Sequence, residues 1–303
     1  MAHKTHSFTD RQKMRRNTFE VFHYRNENLQ EVALHHHDFY EIYFFLSGNV
    51  SYNIESRSYR LSPGDVLLIS PQELHQPVFS PEKQHYERYV LWVSSGLLQQ
   101  FVLSGQDLSQ CFDTTRPEHT NLVRPDAVTR EVLSYLFQQL VREQDSQDFA
   151  AEINRLSLLA QLLVLVNRMA LRAGRAPEPR ENADSVVYRI LSYIGEHYSE
   201  DLSLDFLANE FFVSKYHLSR EFSRVVGTPV HRYIVQKRLI MARQMMAAGT
   251  STSEVSQLCG FGDYSNFYRA FTGEYQISPR KYLEELKKEA AGQSEITRLR
   301  ERE

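Results

Sequence analysis

The sequence has few cysteines, no long hydrophobic run and no large excess of charge of either sign. Cys111 and Cys259 are the only cysteines among 303 residues, which excludes a disulfide scaffold and indicates a reducing compartment. The longest apolar run, residues 158–166, is interrupted by Gln161 and is too short to span a bilayer. The polar, basic N-terminus also lacks the apolar segment of a secretion signal. We therefore expect a cytoplasmic protein without a membrane partner.

Catalytic motifs are missing as well. The sequence contains no phosphate-binding G-x-x-x-x-G-K loop, no G-x-S-x-G turn around a nucleophilic serine, no G-x-G-x-x-G and no C-x-x-C pair. The formal net charge of −3 excludes a uniformly basic nucleic-acid-binding chain but leaves room for a local basic patch. We therefore expect a protein that is not an enzyme and that needs no cofactor.

Residues 1–125 have the pattern of an all-β domain. Residues 41–46, 49–54 and 65–69 are short segments rich in β-branched and aromatic side chains, and turn residues separate them. Because no helical pattern interrupts these segments, a parallel sheet is not expected. The pattern predicts a small barrel or sandwich.

The next segment, residues 126–173, has the pattern of two helices. Its second half, residues 149–171, is apolar over most of the helix circumference, so that such a helix needs partners on two sides. One partner is the β domain, and the other is either a second subunit or the rest of the same chain. We assign residues 126–173 to a helical dimerisation segment of a homodimer, and the polar, proline-containing residues 174–185 to a linker.

Residues 186–288 are predicted to be all-α, and they contain an internal repeat. Residues 204–222 and 252–271 each combine a short amphipathic helix, a tight turn and a capping residue, Ser214 or Asp263, that opens a second helix. The sequence therefore predicts two helix-turn-helix motifs. Residues 289–303 form a charged tail.

The region between the two motifs supports a role in DNA binding. Residues 229–248 read as one long helix, which would hold the two recognition helices at a fixed separation, as successive major grooves about 34 Å apart require. Residues 215–243 contain a single acid, Glu221, and are otherwise strongly basic. Their basic side chains are Lys215, Arg220, Arg224, Arg232, Lys237, Arg238 and Arg243. Such a cluster is typical of a nucleic-acid-binding surface.

Residues 186–288 resemble the DNA-binding domain of the AraC/XylS transcription regulators. Residues 237–243, K-R-L-I-M-A-R, are similar to the family's linker helix, and residues 255–261, 264–271 and 278–282 are similar to its signature. The resemblance implies double-stranded operator or promoter DNA as a partner, and RNA polymerase if the protein activates transcription. It also implies base contacts by the outward residues of both recognition helices. In this sequence these are Tyr216, Ser219, Arg220, Tyr264, Ser265, Tyr268 and Arg269.

The character of these outward residues leaves the base preference open. Family members often have Gln or Trp at such positions, where this chain has Tyr and Ser. Arg220 and Arg269 are the strongest candidates for base contacts, because arginine is the commonest specific partner of guanine. A phosphate contact or an intramolecular ion pair is the alternative for each. Arg238 is predicted to contact a phosphate.

The β domain contains a histidine-rich pattern. His35 and His37 point to the same face of an extended strand, and Glu41 and His75 follow at compatible spacings. This pattern resembles the two cupin motifs, which implies that three imidazoles and a carboxylate converge inside a cupin-like barrel. Three hypotheses stay open: a small effector held by hydrogen bonds, a divalent metal such as Zn, Fe, Mn or Ni, or a cluster that only packs.

We favour an effector without a metal, because AraC/XylS regulators commonly carry an N-terminal cupin-like sensing domain that needs none. Aromatic faces stack on sugar rings, and strand-like segments here contain aromatic residues for which core packing is the alternative. These aromatic residues are Tyr40, Tyr43, Tyr52, Tyr89 and Trp92. We expect a sugar to bind to His35, His37, Glu41, Tyr43, His75 and Trp92.

The sequence thus predicts a homodimeric transcription regulator whose affinity for DNA changes when a small effector enters the barrel. The alternative is a metal-dependent cupin enzyme fused to a DNA-binding domain, with His35, His37, Glu41 and His75 as ligands. A third hypothesis is an architectural DNA-binding protein whose barrel binds nothing. The identity of the effector, the operator sequence and the direction of regulation stay open.

Overall fold

The computed structural model describes residues 13–27, 29, 32–71, 73–80, 85–101, 106–173 and 185–286. The chain divides into two compact units, Met1–Ala183 and Asp184–Glu303. Nearly all of the predicted linker (residues 174–184) and the whole charged tail (residues 289–303) lie outside the described residues. Within the described residues, no helix is both long and apolar enough to cross a membrane.

The N-terminal unit contains two antiparallel sheets, as the strand pattern predicted. The strands are β1 (Phe19–Glu27), β2 (Phe39–Ser47), β3 (Val50–Ile54), β4 (Arg57–Arg60), β5 (Val66–Ile69), β6 (His75–Phe79), β7 (His85–Ser94) and β8 (Leu122–Val123). The five-stranded sheet has the order β1-β7-β2-β5-β8, and the three-stranded sheet has the order β4-β3-β6. The two sheets share one hydrophobic core, which forms the interior of the barrel.

Alternation along β2 gives the larger sheet two buried faces. Phe39, Tyr43 and Phe45 belong to the barrel interior, whereas Ile42 and Phe44 belong to a second core on the opposite face. A strand with a period of two buries both sets only when each face of the sheet is covered. Helices cover the second face, which explains why β2 is apolar along nearly its whole length.

Four helical segments accompany the sheets. They are α1 (Ser95–Gln100), a short 3₁₀ helix (Gln110–Phe112), α2 (Ala127–Glu143) and α3 (Ala151–Ala173). The outer face of the sheet packs against Leu133, Phe137 and Leu140 of α2 and against Leu159 and Leu163 of α3. Deleting a buried side chain of this size typically costs about 3–5 kcal/mol. The described helices of this unit are therefore part of its core and not an appendage.

The C-terminal unit is helical throughout its regular structure. Its helices are α4 (Val186–His197), α5 (Leu204–Glu210), α6 (Lys215–Val226), α7 (Val230–Ala247), α8 (Thr252–Leu258) and α9 (Tyr264–Tyr275), and residues 279–286 are also helical. The helix α7 has 18 residues, as predicted between the two motifs, and is therefore about 27 Å long. The predicted caps are confirmed, because Ser214 accepts a bond from the His217 N–H and Asp263 from the Asn266 N–H.

Candidate functional site

The two recognition helices, α6 and α9, have one buried and one exposed face. Leu218 and Phe222 of α6 are fully buried, and Phe267 and Phe271 of α9 occupy the corresponding positions. The seven residues expected to read DNA all lie exposed on the opposite faces. These are Tyr216, Ser219, Arg220, Tyr264, Ser265, Tyr268 and Arg269. The structure thus leaves the predicted faces available to a ligand, and their contact with DNA stays a prediction.

The turns that place these helices have the same backbone bonds. In the first motif the Val213 N–H donates to the Ala208 carbonyl, and in the second the Phe261 N–H donates to the Ser256 carbonyl, at 2.9 and 3.1 Å. Ala208 and Ser256 are buried, because the two helices of each motif cross closely there. The small residue that the sequence shows in each first helix is therefore required by the crossing.

The two arginines expected to contact bases differ in their present bonding. Arg220 has no hydrogen bond or ion pair with any described residue, whereas Nη2 of Arg269 donates to Oδ1 of Asn266 at 2.7 Å. One turn beyond Arg220, Arg224 is held by Glu221 through two bonds of 3.0 and 2.7 Å. The guanidinium of Arg220 can therefore approach a base edge without first breaking an intramolecular bond.

Arg238, which was predicted to contact a phosphate, is hydrogen-bonded within its own unit, and the phosphate contact stays a prediction. Its Nε donates to the carbonyl of Tyr198 at 2.8 Å and its Nη2 to the carbonyl of Glu200 at 2.6 Å. The guanidinium also lies 6.0 Å from the centre of the Phe261 ring. These contacts tie α7 to the end of α4, so that the structure gives Arg238 an intramolecular role.

In the N-terminal unit, the backbone brings the two histidine segments together. His35 and His75 form an isolated β-bridge with N–H to carbonyl bonds of 3.1 and 2.9 Å. Their rings are consequently 4.2 Å apart, and the His37 ring is 4.8 Å from that of His75. Residues that are about forty positions apart in the chain thus form one cluster.

Glu41 joins this cluster from strand β2. Its Oε2 is 3.0 Å from Nε2 of His37 and accepts a bond of 3.1 Å from Nε1 of Trp92. The side chains of His37, Glu41 and His75 each offer one possible ligand atom, and these three atoms lie within 4.8 Å of one another. All three residues are buried. Of the residues predicted to bind the effector, the structure therefore brings His35, His37, Glu41, His75 and Trp92 together.

Burial keeps the histidines of this cluster neutral. Burial, together with the smaller effect of the neighbouring His35, lowers the pKa of His37 from the ordinary 6.5 to about 3. Burial likewise holds the pKa of His75 well below 6.5, and the nearby rings of His35 and His37 act in the same direction. The pKa of His35 is also lowered by burial. Neutral imidazoles supply one donor and one acceptor each.

Tyr43 extends the polar interior away from the histidines. Its hydroxyl shares a hydrogen bond with the hydroxyl of Tyr86, and its ring lies 5.2 Å from that of Tyr52. Tyr52 in turn stacks on His75 at 6.2 Å. Burial raises the pKa of Tyr43 and Tyr52 well above 10. These phenols therefore keep their protons and can donate hydrogen bonds to a ligand.

Sequence reasoning missed one charged residue of this interior, and of the five aromatic residues it considered, two lie on the other face of the sheet. Arg88 of β7 is buried beside Asn26, and its guanidinium lies 4.1 Å from the centre of the Tyr86 ring. Its position in phase with Trp92 on β7 was the available signal. Tyr40 and Tyr89 are part of the core under α2 and α3, on the other face of the sheet.

The two units together define a class of protein, namely DNA-binding transcription regulators that carry a ligand-binding domain. The family of AraC-like ligand binding domains matches residues 19–163, and the family described as a helix-turn-helix domain matches residues 207–285. The chain belongs to the AraC family of transcription regulators. The resemblance of residues 186–288 is thereby confirmed.

Similar proteins support this assignment over most of the chain. The HTH-type transcriptional activator RhaS of Salmonella schwarzengrund is 31% identical over 251 residues, which cover 81% of this chain and 85% of the relative. RhaS of Salmonella typhimurium is 30% identical with the same coverage. The crystal structure of ToxT from Vibrio cholerae O395 covers 89% of this chain and 99% of its own at 14% identity, with a TM-score of 0.35 that is too low for a further conclusion.

Proposed function

We propose that this AraC-family regulator is a homodimer that activates transcription when a sugar binds inside its β barrel. The observation that supports a sugar as the effector is that buried polar groups converge in an otherwise apolar interior. Nε2 of His75 has no hydrogen-bond partner among the described residues, and the Glu41 carboxylate lies beside it. Buried polar groups are normally paired, so that a site with open hydrogen-bond capacity favours a polar ligand.

The neighbouring aromatic groups suit a hydroxylated ring. Tyr43 and Tyr52 offer hydroxyl groups, and the Trp92 ring belongs to the same buried cluster. A sugar presents hydroxyls to donors and acceptors and an apolar face to an aromatic ring. This combination supports a sugar more than an apolar effector, which would leave the buried Nε2 of His75 unpaired at a cost of about 1–3 kcal/mol.

A face of α2 supports the homodimer. Val128, Val132 and Tyr135 recur at helical spacing and are exposed by 73%, 44% and 58%. Most of the apolar residues of α3 by contrast lie in the core of the unit or pack against it, so that the second partner expected for α3 is its own chain. We place the dimer contact on α2, because a row of exposed apolar residues on one helix favours packing against an equivalent helix.

Strand β2 offers a physical route between the effector and this dimer face. Glu41 points into the barrel, whereas the adjacent Ile42 and Phe44 pack in the core that contains α2. Phe44 stacks on Phe137 of α2 with 5.5 Å between ring centres. An effector that moves β2 would therefore shift α2 and change how two DNA-binding units are presented to paired half-sites. Because the RhaS relatives are named transcriptional activators, we include RNA polymerase as a partner.

Fluorescence anisotropy on the DNA upstream of the protein's own operon tests the proposal. The titration is run with and without a panel of mono- and disaccharides, and reporter transcription is measured in parallel. We expect one sugar to shift both the DNA affinity and the promoter output of the wild type, but not of Tyr52→Phe, which removes only a pocket hydroxyl. Saturating sugars that change neither quantity would falsify the linkage.

A further inference from the structure

The buried histidine cluster contains more hydrogen-bond acceptors than donors. Nδ1 of His37 lies 2.8 Å from the Phe39 carbonyl, and Nδ1 of His75 lies 2.9 Å from the Glu73 carbonyl. A carbonyl oxygen only accepts, so that Nδ1 carries the proton of a neutral His75 ring and its Nε2 presents a lone pair. The His37 ring lies between two acceptors, the Phe39 carbonyl and the Glu41 carboxylate, and the one proton of a neutral ring can serve only one of them.

The protein atoms around these nitrogens are acceptors and not donors. Nε2 of His37 lies 3.0 Å from Oε2 of Glu41, a distance that either a proton or a metal ion can bridge. Nε2 of His75 is buried and has no partner in the described part of the chain. An effector hydroxyl has one proton and can satisfy only one of these atoms, whereas a cation can contact all three at once.

We propose that His37, Glu41 and His75 bind one divalent transition-metal ion inside the barrel. Unprotonated imidazole nitrogens and a carboxylate oxygen are the ligand atoms that zinc, iron, manganese and nickel ions use in proteins. The two backbone carbonyls orient the imidazoles as outer hydrogen-bond partners do in metal sites, and Trp92 donates to Oε2 of Glu41 at 3.1 Å. Two nitrogens in the ligand set favour these ions over magnesium or calcium.

The spacing of the three side chains suits such an ion. Ligand atoms that bind one zinc-sized ion at about 2.0–2.2 Å lie roughly 3–4 Å from one another. The His37–Glu41 distance of 3.0 Å falls at this spacing, and all three ligand atoms lie within 4.8 Å of one another. The present spacing is therefore close to that of a bound ion.

Three protein ligands leave at least one coordination position open. His35 lies beside His75 and is held there by the β-bridge, with 4.2 Å between the ring centres. An effector hydroxyl can occupy the open position, and this step rests on the proposed function. The binding of the ion itself does not depend on the proposed function.

Calorimetric titration of the full-length protein with zinc chloride after EDTA treatment and dialysis tests the site. Cobalt chloride serves as a second probe, because its visible absorption reports coordination directly. We expect one ion per chain, and we expect Glu41→Gln and His75→Ala each to weaken binding about 100-fold or more. Glu41→Gln keeps the size of the side chain and an acceptor for Trp92, so that it removes mainly the charge.

His85→Ala is the matched control, because it removes an imidazole that contacts Glu27 and Glu87 at 3.2 and 3.1 Å in the same unit. We expect His85→Ala to bind zinc like the wild type, and zinc to raise the melting temperature of both. A folded wild type that binds no stoichiometric ion overturns the site, as does unchanged affinity in Glu41→Gln or lost affinity in His85→Ala. A protein that binds DNA and responds to sugar without binding an ion overturns only the metal site and leaves the proposed function in place.

Discussion

The two helix-turn-helix motifs have nearly the same backbone but place different demands on their sequences. The residue two positions after the first helix is left-handed in both, with a φ of 55° at Phe212 and 74° at Gly260. Phe212 is 96% exposed, whereas a Cβ on Gly260 would overlap the backbone of Ser199. The difference teaches that a repeated turn requires glycine only where another segment packs against it.

The second motif also has one more residue in its turn. Three residues separate α5 from the cap Ser214, but four separate α8 from the cap Asp263. The additional residue corresponds to Gly262, whose φ is 75°. Despite this insertion, both recognition helices have 12 residues and bury the same two positions of their inner face. The caps and the inner residues therefore define the motif, and the turn length does not.

Gly260→Ala is expected to have the largest effect on this comparison. The new methyl group would overlap the Ser199 carbonyl, and the left-handed backbone adds strain, so that we expect a loss of about 3 kcal/mol of unfolding free energy. Urea denaturation followed by circular dichroism measures it. Gly262→Ala is the control, because its φ is similar but nothing lies within 4 Å of the added atom. Equal losses in both variants would contradict the role given to Ser199.

The Arg238→Ala variant tests whether this basic residue between the two motifs stabilises the fold or contacts DNA. Because two backbone carbonyls would lose a charged donor, we expect a loss of about 2 kcal/mol of stability. The salt dependence of DNA binding should stay unchanged, since each lost phosphate contact would reduce the slope of the logarithmic plot by about one. Arg232→Ala, at an exposed position of the same helix, should leave the stability as it is. If Arg238→Ala reduced the salt slope of DNA binding and left the stability unchanged, the result would support a phosphate contact by Arg238.

Arg220→Ala tests whether the two recognition helices read different base pairs. We expect a loss of about 1.4 kcal/mol, or roughly tenfold in affinity, for one operator sequence and little change for an operator altered at a single position. Arg269→Ala should be selective at another position. Anisotropy titrations against a set of single-position operator variants measure both. A uniform loss over all sequences would show that Arg220 contacts the backbone of the DNA.

Phe212→Gly is expected to have the smallest effect, and it should be favourable. Glycine relieves the left-handed strain at a position where the phenyl ring is almost fully exposed, so that we expect a gain of about 0.5–1 kcal/mol. Thermal unfolding measures the change. Phe212→Ala retains the Cβ and should change little. A loss of stability in both variants would mean that the exposed ring has a contact of its own.

Local signals in the sequence were sufficient to predict the two recognition helices and their caps. The spacing of Leu218, Phe222, Phe267 and Phe271 predicted two amphipathic recognition helices, because burial of one helix face has a period of 3.6 residues. The caps followed from Ser214 and Asp263. The histidine cluster was expected only because the spacing of these residues resembles the two cupin motifs.

Long-range contacts were not accessible to the same reasoning. The position of Arg238 in the sequence is compatible with a phosphate contact. Only the folded structure shows that its guanidinium donates hydrogen bonds to the carbonyls of Tyr198 and Glu200. For Tyr40 and Tyr89 the sequence left open whether they bind an effector or pack in a core, and they pack in the core that contains the helices. In each case the partner is distant in the chain, and composition alone does not say which face of an element another element covers.

The sequence by itself determined the order of the domains, the two helix-turn-helix motifs, their caps and the inventory of polar side chains in the barrel. These features depend on periodicity, turn chemistry and capping, which act between near neighbours in the chain. The tertiary structure decided which glycine is required, which arginine is occupied, and that His37, Glu41 and His75 share one buried centre. Those outcomes depend on where distant segments meet, and burial then fixes the charge and the bonding of each group.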